Sequence, residues 1–434
     1  PPPFFFNDTA TTEIYTLSLH ALFRSAASAF GTMGTAALAD ENEIYMFISQ
    51  PEYADAINEL IEAYKEVAPD VTINYETTQN DYPTLLKAKL NSGEVPDIFS
   101  STSGKEIDVY KEWSYDLTGQ PLTETMLPSV AAAMKSPEDG SGVYGLAIKG
   151  NYFGIVYNKA IFEECGITEF PKTTEELKAA CEKISEAGYK PFTTGFSEWW
   201  VFKHVWQHFL AAAAGDAGVE VSDLVASFEK GEAKVADYPA LYNNFFDFID
   251  LAVQYGDDKP LETALENELA AFGSGEAAMV LGQGAWIEAD SLAIDPNLQI
   301  GFNGYPVSDK ADQCKIISGS DQALHVYNES EALQATLDFV NWWYTSDYGI
   351  NWFTDVAGVV PPVQTEGESS FEIIKQGSEL EASEGSAALG ICYSTDSWHQ
   401  VFGELIQSYI TGSADKDATC AAIEEQWAAI DGAE

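Results

Sequence analysis

Basic residues are scarce in this 434-residue sequence, which has 21 Lys and Arg against 69 Asp and Glu and a formal net charge of −48. A field of that sign repels phosphate backbones and anionic lipid surfaces, so nucleic acid is not expected as a partner. The charge suits a neutral or cationic ligand better than an anionic one. Charge alone does not select a function.

Metal-binding and catalytic signatures are also missing. The sequence has no HExxH, GxSxG or P-loop motif, and no stretch of about 20 apolar residues that would span a membrane. The sequence has five cysteines, and one disulfide between two of them is possible if the protein is exported. We therefore expect a protein that is not an enzyme and that holds neither a metal nor a cofactor. The five cysteines are scattered without a CxxC pair, which argues against a zinc site: Cys165, Cys181, Cys314, Cys392 and Cys420.

The first 39 residues do not resemble part of a folded domain. Residues 1–25 look like the translation of a common sequencing-library adapter, and we treat them as an artefact of sequence assembly. Residues 26–39 are small and apolar and end in Ala-Leu-Ala, which fits a cleavage site, although a disordered Ala/Gly leader is the alternative. We interpret them as the remnant of a signal peptide. The exported chain would begin near Asp40, periplasmic or extracellular, with no lipid-attachment cysteine at the junction.

From Glu43 onward, short apolar runs alternate with stretches of helical spacing. The β-α-β-α-β order near the start predicts a parallel sheet with helices on its faces. Thr173 or Thr174 is the expected N-cap of a later helix that ends before Gly188. The predicted strands are 44–48, 71–75, 97–99, 154–157, 277–281 and 323–327, and the predicted helices are 54–67, 82–91, 174–187 and 331–345.

Some conspicuous side chains are predicted to be structural. Trp342, Trp343, Trp352 and Trp427 fall on helical faces and are interpreted as core residues. His204 and His208 are four residues apart, a spacing that can hold a metal ion, but no third ligand is evident. We therefore also interpret this histidine pair as structural.

An ordered series of motifs carries a family resemblance. The chain resembles family 1 of the extracellular solute-binding proteins, the maltose-binding and multiple-sugar-binding group, from about Glu43 to Trp427. Thr174 stands where that family usually has Trp. The motifs are Ala63-Tyr-Lys-Glu-Val-Ala-Pro69, Leu90-Asn-Ser-Gly-Glu-Val-Pro-Asp-Ile98, Tyr157-Asn-Lys-Ala-Ile-Phe162, Thr173-Thr-Glu-Glu-Leu177, Ala271-Phe-Gly-Ser-Gly-Glu-Ala-Ala-Met279, Gly284-Ala-Trp286 and Gly358-Val-Val-Pro361.

The resemblance implies an α/β protein with the class II periplasmic-binding-protein-like fold. Each of two lobes would be a doubly wound sheet with flanking helices, and the ligand cleft would lie between them. The expected N-terminal lobe comprises residues 40–148 and 302–358, and the C-terminal lobe 149–301 and 359–434. Such a protein would be a monomer that closes around a carbohydrate, expected to be an oligosaccharide, and delivers it to the permease subunits of an ABC importer.

The predicted ligand contacts follow strand ends and crossing segments, where loops expose polar and aromatic groups. Sugar hydroxyls need paired donors and acceptors, and the apolar faces of sugar rings can be covered by aromatic rings. Glu198, Trp199 and Trp200 form the most suggestive cluster, and Trp286 matches the family's stacking tryptophan. The candidates are Gln50, Asp81, Tyr82, Ser101, Thr102, Asn151, Glu198, Trp199, Trp200, Trp286, Ser320, Asp321, Tyr393 and Trp398.

Two other functions stay open from the residues. The same fold could bind a polyamine or another cationic solute, because Glu198 beside indole rings could hold an amine. A secreted glycoside hydrolase is the less favoured alternative. Such enzymes use a pair of carboxylates, but in a chain with 69 acids some pair can always be nominated, so the acids are no argument for it.

Overall fold

The computed structural model describes residues 41–78, 81–137, 140, 142–365 and 369–430. The expected adapter translation and signal-peptide remnant, residues 1–39, lie outside these ranges. Within the described ranges, no helix combines the length and the apolar character that crossing a bilayer requires.

The first part of the chain alternates strands and helices, close to the predicted order. The elements are β1 (Glu43–Ile48), α1 (Ala54–Val67), β2 (Thr72–Thr77), α2 (Tyr82–Ser92), β3 (Ile98–Thr102), α3 (Lys105–Tyr110), α4 (Pro121–Thr125), α5 (Pro128–Ala133) and β4 (Leu146–Ala147).

The remaining chain is richer in helix. It forms β5 (Asn151–Phe153), β6 (Ile155–Asn158), α6 (Lys159–Glu164), α7 (Thr174–Glu186), β7 (Lys190–Thr193), α8 (Trp199–Ala217), α9 (Val221–Glu229), α10 (Phe246–Tyr255), α11 (Leu265–Gly273), β8 (Ala277–Val280), α12 (Glu288–Ile294), β9 (Ile300–Asn303), β10 (Ile317–Gly319), β11 (Gln322–Val326), α13 (Leu333–Thr345), α14 (Asp347–Asp355), α15 (Glu372–Glu384), α16 (Asp396–Ile410) and α17 (Lys416–Ile430).

Two sheets organise the molecule. The first has the order β2-β1-β3-β11-β4, and β1 pairs in parallel with β2 and β3 as the sequence predicts. Strand β11 runs antiparallel to β3 and β4, so the predicted parallel sheet is in fact mixed. The second sheet, β7-β8-β6-β9, is also mixed, with only β7 and β8 parallel. A separate antiparallel pair joins β5 to β10.

Buried apolar side chains form separate cores around the two sheets. The first core packs β1, β3 and β11 against α13 and α14 and contains Trp343 and Trp352. The second core lies between α8, α10, α16 and α17 and contains Phe209 and Trp427. A third core covers the other face of the second sheet, where Ile300 meets Ile373.

The expected lobe boundaries stay a prediction, and the cores show only where the segments beside them pack. Tyr305 and Cys314 pack in the second core, although residues 302–358 were expected in the first lobe. The chain returns to the first sheet only at β11, and Val359 and Val363 still belong to the first core. Gly150, near which a crossing between lobes was expected, forms an antiparallel backbone bridge with Val360.

Local sequence signals explain the best-predicted helix. Thr173 accepts the Glu176 N–H while the Glu176 carboxylate accepts the Thr173 N–H, so a capping box starts α7.

Among the tryptophans predicted to be structural, Trp343, Trp352 and Trp427 are fully buried and Trp342 is partly buried. All five cysteines are free, so the disulfide that an exported protein could carry is not formed.

Candidate functional site

A cavity of about 70 Å³ opens where the first sheet faces helix α8. This volume is smaller than is usual for small-molecule sites, about 300–1,000 Å³. Its wall combines the end of β1 and the start of β11 with side chains from α8 and α16. It is lined by Ser49, Gln50, Glu52, Tyr82, Pro83, Lys149, Trp199, Trp200, Lys203, His204, Leu265, Trp286, Asp321, Gln322 and Asp396.

The first turns of α8 supply much of the aromatic and charged wall. Trp199 and Lys203 are four residues apart, as are Trp200 and His204, so each pair lies on one face of the helix. The Lys203 ammonium sits 5.2 Å from the centre of the Trp199 ring. One helix thus presents two indoles, a cation and an imidazole to the same space.

Two ion pairs neutralise the basic groups of the cavity. Lys203 Nζ lies 2.7 Å from Asp396 Oδ1, and Lys149 Nζ lies 3.9 Å from Glu52 Oε1. Lys149 is also 4.9 Å from the centre of the Trp286 ring. The remaining lining carboxylate, Asp321, is buried and forms no ion pair among the described residues.

Several buried polar atoms around the cavity have no hydrogen-bond partner within the described part of the chain. Two are donors, the indole N–H groups of Trp199 and Trp200, and two are acceptors, Gln50 Oε1 and Asp321 Oδ1. Buried polar groups are normally paired, and leaving one unpaired costs about 1–3 kcal/mol. Hydroxyl groups, which both donate and accept, match the chemistry of these four atoms.

His204 has a defined protonation state in this wall. Its Nδ1 is 2.8 Å from the Gly282 carbonyl oxygen, which can only accept, so Nδ1 carries the proton and Nε2 is an acceptor. Burial, followed by the charge of Lys203, lowers the pKa of His204 well below its ordinary value. The imidazole is therefore neutral at physiological pH.

Trp286 is oriented by a chain of buried polar groups. Its N–H donates to Gln283 Oε1 at 2.9 Å, and Gln283 Nε2 donates to Glu268 Oε2 at 2.8 Å. Burial raises the pKa of Glu268 well above its ordinary value. Hydrogen bonds therefore fix the N–H edge of the Trp286 ring on the side away from the cavity. Another part of the ring lines the cavity.

The structure brings some of the predicted contacts together and separates others. Those that line the cavity are Gln50, Tyr82, Trp199, Trp200, Trp286 and Asp321. The Tyr82 hydroxyl already bonds the carbonyls of Phe47 and Ser100, so Tyr82 contributes ring surface.

Other predicted contacts lie behind the cavity wall. The Ser101 hydroxyl is 2.7 Å from His325 Nε2, and the Ser320 hydroxyl donates to the Lys149 carbonyl. Thr102 is fully buried in β3, and its N–H donates to Glu106. Strand pairing and burial give Ser101, Thr102 and Ser320 structural contacts instead of the predicted ligand contacts.

The remaining candidates lie outside the cavity lining. Asp81 is exposed at the N-cap of α2 and Glu198 is at the N-cap of α8, both without a side-chain capping bond. Asn151 is buried in β5, where its Nδ2 has no partner among the described residues. None of the three is among the residues that line the cavity.

Tyr393 and Trp398 line a different and larger groove, of about 1,010 Å³. Trp398 is only 4% exposed and stacks on Trp427 and Phe402, with ring centres 4.5 and 5.2 Å apart. This stacking makes the indole part of the second core, and a ligand contact by Trp398 stays an untested prediction.

Several charged and polar residues that line the cavity were not predicted from the sequence. Glu52, Lys149, Lys203 and Gln322 were not proposed, and His204 was interpreted as structural. The i, i+4 pairing of Trp199 with Lys203 was the available signal for α8. His208 instead packs on Tyr305, and the described residues contain no group of three His, Cys, Asp or Glu side chains arranged to hold a metal ion.

Comparisons with known proteins agree with this architecture. Residues 49–350 match the family described as bacterial extracellular solute-binding protein. A multiple sugar-binding protein of Streptococcus mutans is 25% identical over 333 residues, which cover 76% of each chain.

Solved structures show the same fold at low sequence identity. A chitin oligosaccharide binding protein superposes with a TM-score of 0.77 at 18% identity, covering 89% of this chain and 98% of its own. The RafE solute-binding protein in complex with raffinose gives a TM-score of 0.75 at 17% identity, with the same coverage. The predicted two-lobed α/β fold is confirmed by these matches. Since the family match also extends over most of its length, the chain belongs to the bacterial extracellular solute-binding proteins.

Proposed function

We propose that this protein binds a neutral carbohydrate in the cavity beside α8 and delivers it to an ABC importer. One observation carries the proposal: unpaired buried donors and acceptors surround one cavity that is also walled by three indoles. A sugar ring offers hydroxyls to the polar atoms and C–H surface to the rings. The names of the sugar-binding relatives point to the same ligand class.

The charge pattern of the cavity favours a ligand without net charge. Lys149 and Lys203 are matched by Glu52 and Asp396, so neither lysine is available as a free counter-ion for an anion. Asp321 is the exception, and its unpaired Oδ1 can accept from two sugar hydroxyls or from one cation.

A cationic solute is the second candidate, and Asp321 is the observation that favours it. An amine would pair with this buried carboxylate and could lie against the indole faces. It would, however, share the cavity with the ammonium groups of Lys149 and Lys203, both of which are already within cation–π distance of those indoles. Repulsion between like charges in a poorly solvated space favours the neutral ligand.

The wider biological role follows from the family. We infer an exported monomer that closes on its ligand and docks on the permease subunits of the importer, without catalysis or a cofactor. The ligand would be a short oligosaccharide, because the three indoles of the cavity wall offer stacking surface for more than one sugar ring. The residue division into lobes, with the return to the first sheet at β11, is part of this proposal.

Titration calorimetry and intrinsic tryptophan fluorescence test the assignment directly. We expect heat and a fluorescence change with one or more neutral oligosaccharides, including raffinose and chitin oligosaccharides, and none with spermidine or putrescine. Binding of polyamines alone would overturn the proposal. Release of p-nitrophenol from p-nitrophenyl glycosides, incubated in parallel, would show that the protein is an enzyme instead.

A further inference from the structure

A carboxylate from the first core caps a helix of the second core. Glu106, on α3, is only 5% exposed, and its Oε2 accepts the N–H of Thr102 on its own side. Its Oε1 accepts the N–H of Asp396 at 2.9 Å. Asp396 is the first residue of α16, whose opening N–H groups have no partner within the helix, so a carboxylate there is favourably placed.

The residue that Glu106 caps is part of the ligand cavity. The Asp396 carboxylate pairs with Lys203, whose ammonium lies beside the Trp199 ring, and all three side chains line the cavity. Glu106 itself lines the larger groove on the other side of this contact. The sequence of contacts Glu106–Asp396–Lys203–Trp199 therefore connects the first core to an indole that the proposed function uses.

We propose that Glu106 is a positioning residue that clasps the two halves of the molecule together, holds Asp396 and Lys203 in place for the ligand, and couples ligand affinity to pH. The ligand in this proposal is the one given by the proposed function. The contacts of Glu106 do not depend on that function. When the halves separate, the Asp396 N–H and the Glu106 carboxylate part and both regain water.

Burial, followed by the charge of Asp396, raises the pKa of Glu106 to about 7 in this closed arrangement. An exposed glutamate has a pKa of about 4.3. The closed state thus binds a proton more tightly than an open state in which Glu106 is solvated. Affinity should rise as the pH falls through 7, by about tenfold between pH 8 and pH 6.

The groups that face Glu106 do not titrate in that interval. Burial opposes ionisation of Asp396, but Lys203 holds its pKa below the ordinary value. Burial lowers the pKa of His399, the next titratable neighbour of this pair, to about 3, so its imidazole stays neutral. Tyr82 and Tyr110, on the Glu106 side, have pKa values raised by burial.

The decisive experiment measures sugar affinity of the purified protein at pH 6 and pH 8 by calorimetry. We expect the wild type to bind about tenfold more tightly at pH 6. Glu106→Gln, which cannot titrate, should show the same affinity at both pH values. A pH-independent wild type, or a Gln variant that keeps the wild-type dependence, overturns the proposal.

Glu288 provides a matched control. It is also a buried glutamate that accepts two backbone N–H groups, those of Glu372 and Ile373, but both partners lie on its own side of the molecule. Glu288→Gln should therefore keep the wild-type dependence of affinity on pH. If it loses that dependence as Glu106→Gln does, the effect is a general one of buried carboxyls and the clasp is wrong.

Solution scattering of the protein alone separates this inference from the proposed function. Without any ligand, the wild type should be more compact at pH 6 than at pH 8, and Glu106→Gln should not change. If no carbohydrate binds, the proposed function is wrong. The radii of gyration at pH 6 and pH 8 still test whether Glu106 holds the two halves together. Equal radii of gyration for the wild type at both pH values contradict it.

Discussion

At the scale of single residues, some cavity side chains have their polar atoms held by hydrogen bonds on the side away from the cavity. Trp286 shows this best, since its N–H is held by Gln283 and Gln283 is held by the buried Glu268. Fixing the ring before the ligand arrives reduces the entropy lost on binding. The part of Trp286 that lines the cavity is therefore positioned in advance for the carbohydrate that we propose.

Replacing Trp286 by Ala should weaken sugar binding at least about tenfold. Burying a large apolar side chain against a ligand contributes about 1.5–3 kcal/mol, and each 1.4 kcal/mol corresponds to a factor of about ten in affinity. Calorimetry with the oligosaccharide that the wild type binds measures the change in affinity.

Trp342→Ala is the matched control for this variant. Trp342 is a partly buried indole that packs on Tyr64 and Tyr348, outside the cavity lining. Its loss should lower the unfolding temperature and leave the affinity unchanged. Equal affinities of Trp286→Ala and the wild type would remove Trp286 from the site.

The sequence supports prediction of aromatic contacts better than of charged ones. Trp199, Trp200 and Trp286 could be nominated because indoles suit sugar rings. Lys149 and Lys203 could not, because a buried lysine is rare and needs a partner. Glu52 and Asp396 supply those partners from 97 and 193 residues away along the chain, separations that no local pattern encodes.

At the scale of elements, helix α8 depends on a close contact with α16. Gly403 lies on α16, and a β-carbon there would meet the Trp199 carbonyl oxygen at 2.5 Å and the Trp199 Cα at 2.9 Å. Real side chains do not approach so closely. The missing side chain of Gly403 therefore sets how near α16 comes to the turn that carries Trp199.

Gly403→Ala should lower both stability and sugar affinity. Alanine is intrinsically better than glycine within a helix by about 1 kcal/mol, but the overpacking should cost about 1–3 kcal/mol and displace the first turn of α8. Urea unfolding and calorimetry measure the two effects.

Gly215→Ala provides the comparison, because Gly215 also lies in a helix and a β-carbon there meets nothing within 4 Å. This variant should be as stable as the wild type or slightly more so, with unchanged affinity. A Gly403→Ala variant that behaves like Gly215→Ala would mean that α8 and α16 can separate without consequence.

Local signals predicted the elements better than their pairing. The capping residues Thr173 and Glu176 and the periodicity of α1 are readable because each depends on neighbours within a few positions. The antiparallel direction of β11 is not, since its partner β3 lies more than 200 residues earlier in the chain. The same long separation hid the return of the chain to the first sheet at Gln322, which was expected near residue 302.

At the scale of the whole molecule, the net charge of −48 opposes the compact state through self-repulsion. Added salt screens this repulsion, since the Debye length falls from about 30 Å at 0.01 M to about 8 Å at 0.15 M. The unfolding temperature should therefore rise between these two concentrations of sodium chloride, as measured by calorimetry. Potassium chloride at the same ionic strength separates screening from specific sodium binding, and a falling unfolding temperature in both salts contradicts the argument.

The same field distinguishes the two candidate ligand classes. A cation is drawn towards an acidic protein, so its affinity should fall several-fold as salt screens the attraction, whereas a neutral sugar has no charge for the field to act on. We expect the dissociation constant of the carbohydrate to change less than about twofold between 0.01 M and 0.15 M salt. Spermidine serves as the charged comparison at both concentrations. Tight spermidine binding that falls steeply with salt, together with weak carbohydrate binding, would mean that the ligand of this cavity carries positive charge. Asp321 would then act as its counter-ion and not as a hydroxyl acceptor.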